Sequence, residues 1–270
     1  MKYVAFVDTL GFTQRINSIS HEEAVDVIRK FNQSVYDLWR EMGLDKDDRI
    51  NGRTFSDSFI IHSIGDSNED LKKILDFLIR LYKISIAESD LPLRGGIALG
   101  DFDDIKATEF NNLQKGLIIG TAFIDAYLLE SNNGIKGSKL LFSEEINLLI
   151  ENVFTDIETK KVKITKDGKT IYELKWGNLR YLTERNFEAL NKFIELGVKS
   201  KWLDHYYATL ETFLIKEPEN NKHEIYSRII EKIKTSYKYN DLDNFIENYL
   251  KSEAATYTKR SFLKFIREKL

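Results

Sequence analysis

The sequence predicts an α+β fold, a mostly antiparallel β-sheet with helices packed on it, followed by a C-terminal helical extension. Three observations carry that reading. Strand-like and helix-like apolar patterns alternate through the first half. Glycine-bearing dipeptides punctuate the strands as hairpin signals. From about Thr183 the chain turns to successive helical stretches rich in Lys, Glu, Tyr and Asn. Residues 3–7 form a short apolar run with strand character. Ser20 with Glu23 makes a capping box ahead of an amphipathic helix whose stripe is Ala24, Ile28, Phe31, Val35 and Leu38. Residues 55–62 read as a strand, split from an upstream neighbour by Asn51-Gly52, a hairpin signal. Residues 69–84 are a helix with Leu71, Leu75, Leu78 and Tyr82 on one face. A glycine-studded strand follows at 93–100, another strand at 117–119 and a helix at 121–130. Residues 139–142 are a short strand, after which Ser143 is placed to cap a helix through Ile150. Residues 162–174 make a hairpin around Asp167-Gly168. The expected organisation is one domain over 1–182 and a helical extension over 183–270.

Composition excludes several classes. With 42% hydrophobic and 12% aromatic residues, the chain can pack a core. Its 40 basic and 43 acidic side chains are well mixed and sum to -3, so no global basic field argues for duplex DNA or a membrane surface. Without cysteine there is no disulfide, thiolate metal site or cysteine nucleophile, which fits a reducing cytoplasm. The N-terminal apolar run is cut short by Asp8, too soon for a signal peptide, and the longest apolar stretches fall short of a membrane span. A cytoplasmic protein is expected. The basic cluster of Lys259, Arg260, Lys264, Arg267 and Lys269 reads as a solvated helix face. His21, His62, His205 and His223 share no motif and receive no role.

Asp8, in VAFVDTLGFT, and Asp57, in RTFSDSFII, are the residues that carry chemistry. Each ends or interrupts an apolar strand-like run, so each is expected on a strand. Two rigidly held carboxylates can share divalent cations, and hard cations such as Mg²⁺ take oxygen ligands together with substrate phosphates. Gly11, in the turn after Asp8, lets backbone N–H groups wrap a phosphate. A nucleoside triphosphate handled through metal ions is the chemistry these residues suggest.

Four segments in order resemble the class III nucleotidyl cyclases: AFVDTLGFT the first metal-binding strand and loop, RTFSDSFII the hairpin with the second metal aspartate, LRGGIALGD the arginine-glycine strand, and GLIIGTAFIDAYLLE the glycine-to-helix segment before a strand such as KLLFSEE. The resemblance covers about residues 3–145 and not the helical tail. Its phrasing, GF, SDS, RGGIA-G and AY-LE, looks most like the bacterial pyrimidine cyclases of anti-phage Pycsar systems. The resemblance implies that Asp8, Asp57 and the backbone carbonyl of Thr9 hold two divalent ions, Mg²⁺ or Mn²⁺. It also implies that Leu10, Gly11, Phe12 and Thr13 contact phosphates through main-chain N–H groups. The ribose 3′ oxygen would attack the α-phosphorus and release pyrophosphate, with metal ions about 4 Å apart. Arg94 would be a catalytic cation reaching phosphate across an interface, or a partner in a structural salt bridge. Family members form active sites between two catalytic domains, which implies a head-to-tail homodimer with two sites. The product would be read by a separate cyclic-nucleotide-binding effector.

The departures are equally specific. Aligned on Gly120 and Ala126, the transition-state asparagine and arginine of mammalian-type relatives fall on Ile124 and Leu128, which donate no hydrogen bond. Asp125 and Tyr127 are the polar residues nearby on this helix, expected at the dimer contact. Lys136 and Lys139 lie near the family's phosphate-binding lysine, with Lys106 and Lys115 as further candidates. Four residues before Asp57, where adenylate-type relatives place lysine and guanylate-type relatives glutamate, stands Arg53. A guanidinium only donates, so it suits a carbonyl edge such as uracil O4 or O2, or guanine O6; cytosine also offers O2 and N3 as acceptors, and UTP is favoured over CTP. An adenylate or guanylate cyclase and a catalytically silent nucleotide sensor are the alternatives. A diguanylate cyclase is disfavoured, since no GG-[DE]-[DE]-F signature is present.

Overall fold

The computed structural model describes residues 1–17, 19–89, 91–110, 113–131, 134–165, 167–177, 203–224 and 226–227. The first compact unit, Met1–Ile135 with Lys139–Trp176, is built on a seven-stranded sheet of order β2-β3-β1-β4-β7-β9-β8. These strands are β1 (Lys2–Thr9), β2 (Ile50–Phe55), β3 (Ser58–Ser63), β4 (Leu93–Gly100), β7 (Leu140–Ser143), β8 (Thr159–Ile164) and β9 (Thr170–Leu174). Every neighbouring pair is antiparallel except β4 with β7. Between β4 and β7 the chain makes a separate antiparallel ribbon of β5 (Asp103–Phe110) and β6 (Leu113–Ile119). The α+β expectation holds. The β5 strand was not expected, because DDIKATEF lacks the apolar alternation that marks a half-buried strand.

The helices are α1 (Phe12–Ile16), α2 (His21–Glu41), α3 (Asn68–Ser89), α4 (Thr121–Ser131) and α5 (Glu144–Val153). The capping box at the start of α2 forms as expected: Ser20 Oγ accepts from the Glu23 N–H, and Glu23 Oε2 accepts from the Ser20 N–H. Ser143 precedes α5 but makes no side-chain cap. Consecutive glycines in β4 show why this strand is glycine-studded. A Cβ at Gly95 would stand 3.1 Å from the Tyr82 hydroxyl of α3, and one at Gly96 would stand 2.3 Å from the Ala126 carbonyl of α4. The two helices therefore cover opposite faces of the sheet, and α4 lies too close to β4 for any side chain between them.

Strand alternation then divides the core. On the α3 side, Trp39, Phe59 and Phe77 stack edge to face or tilted at centroid distances of 5.4–6.1 Å. On the α4 side, Val4, Ile60, Phe102 and Ala122 form a smaller cluster with Phe6, Ile118 and Phe123 against it. The same alternation corrects the hairpin expectation. Asn51-Gly52 is not a turn: Gly52 sits inside β2, where a Cβ would come 3.0 Å from both the Phe59 and Trp39 rings. The β2–β3 reversal is the two-residue turn Ser56-Asp57, closed by the Phe55–Ser58 pair.

The second unit is Lys136–Ser138 with Gly177–Leu270. Its helix α6 (Leu203–Phe213) receives the Ser138 N–H on Thr209 Oγ1 at 2.7 Å and the Gly137 N–H on His205 Nδ1 at 3.2 Å. Most of the expected helical extension over 183–270, including its basic cluster, lies outside the described residues. Among the described residues, no helix is long and apolar enough to cross a membrane.

Candidate active site

Asp8 lies near the C-terminal end of β1, in register with Ser58 on β3 and Arg94 on β4. Asp57 is carried by the neighbouring turn and not by a strand, a correction to the sequence reading. That turn is tight enough to hold Ser56 at φ 51°, a left-handed conformation that few non-glycine residues adopt. The two carboxylates are cross-braced. Ser58 Oγ donates to Asp8 Oδ1 at 2.7 Å. Thr9 donates twice to Asp57, from its N–H to the carbonyl at 3.2 Å and from its hydroxyl to Oδ2 at 3.2 Å. Burial raises the Asp8 pKa, and the Asp57 charge adds to that, while the Ser58 hydroxyl and Arg94 pull it down. Two carboxylates thus repel each other in a half-desolvated corner, an arrangement that a shared cation relieves.

The donor set fits a hard divalent cation. Its side-chain ligands are all oxygen, and among the described residues no group of three His, Cys, Asp or Glu side chains converges. Two carboxylates leave the remaining positions to carbonyl, water and phosphate oxygens, as Mg²⁺ sites commonly do.

The loop after β1 fits in part. The Leu10 N–H is already donated to the Pro92 carbonyl at 2.7 Å, so Leu10 offers no main-chain donor to a phosphate. Gly11 adopts φ 80° and opens into the five-residue α1, whose first N–H groups, including those of Phe12 and Thr13, have no acceptor within the helix.

Three of the basic candidates have acidic partners. Arg94 faces α4 and its Nε contacts Glu130 Oε1, an intramolecular salt bridge of the kind expected beside a reach toward phosphate. Lys139 is buried and its ammonium engages Glu173, which removes it from the phosphate donors. Lys136 is half-buried in the segment assigned to the second unit. The side chains of Lys106 and Lys115 lie outside the described residues. Arg53 is engaged by Asp104 Oδ1 and lies 5.7 Å from the centre of the Phe55 ring. The Asp104 carboxylate also faces the buried His62, whose Nε2 is 3.8 Å from Oδ2. On α4, Asp125, Ile124 and Leu128 are exposed, and Tyr127 is exposed while packing edge-on against Phe6 at 5.4 Å.

Ser58, Glu130 and Asp104 were missed in the sequence. Ser58 was within reach, because it directly follows Asp57 and pairs with Asp8 once β1 and β3 are aligned. Glu130 and Asp104 look like ordinary surface carboxylates until the fold sets them against Arg94 and Arg53.

A mostly antiparallel sheet with helices packed on it in this way has the fold of adenylyl and guanylyl cyclase catalytic domains. The chain is similar to the dimeric guanylyl cyclase domain of the RhoGC fusion protein from the aquatic fungus Blastocladiella emersonii, at 15% identity and a TM-score of 0.50, over 64% of this chain and 94% of that one. It is equally similar to the adenylyl cyclase CyaB from P. aeruginosa, at 18% identity and a TM-score of 0.50, over 64% and 92%. The catalytic core of a rhodopsin-guanylyl cyclase with converted specificity, solved with ATPαS, matches at 16% identity and a TM-score of 0.51, over 64% and 94%. No protein-family model and no curated protein matches the sequence.

Proposed function

We propose that the chain is a metal-dependent nucleotidyl cyclase that converts a pyrimidine nucleoside triphosphate, UTP in preference to CTP, into its 3′,5′-cyclic monophosphate and pyrophosphate. The observation that carries this reading is the cross-braced pair Asp8 and Asp57 set in a cyclase fold. Asp8, Asp57 and the Thr9 carbonyl are the ligands for two Mg²⁺ or Mn²⁺ ions. Such ions lower the pKa of an attacking hydroxyl and neutralise a leaving pyrophosphate. The chain's own contribution is alignment. Ser58 and Thr9 fix the carboxylates before substrate arrives, and the N–H groups of Gly11, Phe12 and Thr13 receive phosphate oxygens. Arg53, steadied by Asp104, presents its free donors to a base carbonyl.

Exposed apolar side chains support the homodimer. Ile105 and Leu117 face each other across the ribbon, Ile119 follows on β6, and Ile124 and Leu128 line α4. Exposed apolar surface of this kind marks an interaction site. The cyclic product is a diffusible signal for a separate effector in the cytoplasm. The sequence resemblance to pyrimidine cyclases supports a role in anti-phage defence.

A second reading, an adenylate or guanylate cyclase, is favoured by the neighbours themselves, which are named adenylyl and guanylyl cyclases. The test is to incubate the protein with Mn²⁺ and each of ATP, GTP, CTP and UTP and to identify products by mass spectrometry. Cyclic UMP or CMP supports the pyrimidine assignment; cyclic AMP or GMP transfers it to the second reading. No product from any of the four favours a silent sensor, for which the apolar Ile124 and Leu128 argue.

A further inference from the structure

Arg94 presents a difficulty for the metal site. It lies directly opposite Asp8 in the β1–β4 register and on the same, α4-facing side of the sheet. A guanidinium there is a permanent monovalent competitor for the carboxylate that a divalent cation needs. The chain answers with Glu130, near the end of α4. Glu130 is almost fully buried, its side chain only 3% exposed, and its carboxylate engages Arg94 Nε. Burial pushes its pKa up to about 7 against the pull of Arg94, so keeping it there opposes its solvation. A buried charge pair of this type is weak evidence for stability.

We propose that Glu130 is a positioning residue for the metal site: by engaging Arg94 it draws that guanidinium away from Asp8 and keeps the Asp8 carboxylate open to a divalent cation. The inference rests on the metal-binding reading of Asp8 and Asp57. Hydrogen-bonding partners beyond the ligands commonly govern metal affinity, and their loss typically costs about 10–100-fold. Here the effect is one of charge, which fixes the sign for each variant. Glu130→Gln leaves Arg94 uncompensated and free to pair with Asp8. Arg94→Met removes the competitor altogether. The double variant removes both charges together.

The experiment is Mn²⁺ binding to the full chain at pH 8 without nucleotide, read from the loss of the free Mn²⁺ signal in electron paramagnetic resonance. Circular dichroism monitors the fold. The wild type binds. Glu130→Gln weakens binding by about tenfold, Arg94→Met does not weaken it, and Arg94→Met/Glu130→Gln returns to near the wild-type value. A merely structural pair would make Glu130→Gln and Arg94→Met equally harmful, and that outcome overturns the proposal. So does unchanged binding in Glu130→Gln. If Glu130→Gln fails to fold, Glu130→Asp carries the test: a smaller loss restored by Arg94→Met supports the proposal, and no loss overturns it. Absence of Mn²⁺ binding in the wild type overturns this inference, whereas the metal reading, which counts substrate phosphate oxygens among the ligands, fails only if Mn²⁺ with each triphosphate gives no product.

Discussion

Asp57 and Asp8 set two carboxylates in one corner. Asp57→Ala is expected to abolish product formation while leaving the melting temperature unchanged or slightly raised, because the Asp57 charge that adds to the burial of Asp8 disappears. Product assays and thermal denaturation side by side check this. Arg53→Glu is expected to change which triphosphate is used, since it replaces a donor with an acceptor, and competition among the four nucleotides reads the shift. Glu130 makes a prediction about pH. Its folded-state pKa, about 7, stands above the ordinary 4.5, so the folded chain binds this proton more tightly than the unfolded chain does. The resulting stability is fully present below 4.5 and is lost as pH rises through about 7. The wild type should lose more melting temperature than Glu130→Gln between pH 5 and pH 8, by roughly a few degrees. At this scale the sequence singled out the two aspartates that the fold brings together, because a carboxylate at the end of an apolar run stands out. It could not name Glu130 or Asp104, since a lone acidic residue acquires meaning only from the cation that the fold sets beside it.

Two elements do most to shape the site. The β2–β3 hairpin brings Asp57 to Asp8, and its turn lies at Ser56-Asp57 despite the stronger turn signal of Asn51-Gly52. Packing overrides local preference there, because Gly52 makes room for the Phe59 and Trp39 rings. The α4 helix packs its alanines against β4 and turns Ile124 and Leu128 outward. Gly96→Val is expected to push the helix off the sheet, with a loss of about 1–3 kcal/mol or more and a displaced Glu130; chemical denaturation measures the first. Ile124→Asp should leave the monomer's fold intact and abolish dimer formation and activity together, as read by analytical ultracentrifugation and product assay. The apolar character of both residues was plain in the sequence. That it faces outward follows only from the close approach of α4 to β4.

For the molecule as a whole, the proposed head-to-tail pair makes a quantitative forecast if its carboxylates come from one protomer and Arg53 from the other. Mixing inactive Asp57→Ala with a base-reading-defective Arg53→Glu protein should restore roughly a quarter of wild-type activity on the original substrate. Half of randomly formed dimers are then mixed, and each has one intact site. No recovery after exchange would place both functions within one protomer. The class of the fold and the order of its principal strands and helices were legible in the sequence alone, because period-two and period-3.6 apolar patterns are local signals. The β5 strand, the true hairpin turn and the partners of Arg53, Arg94 and Lys139 were decided only by the tertiary structure. A charged side chain's role depends on which opposite charge is packed against it, and those pairs join residues 34 to 51 positions apart, a relation that no local pattern encodes.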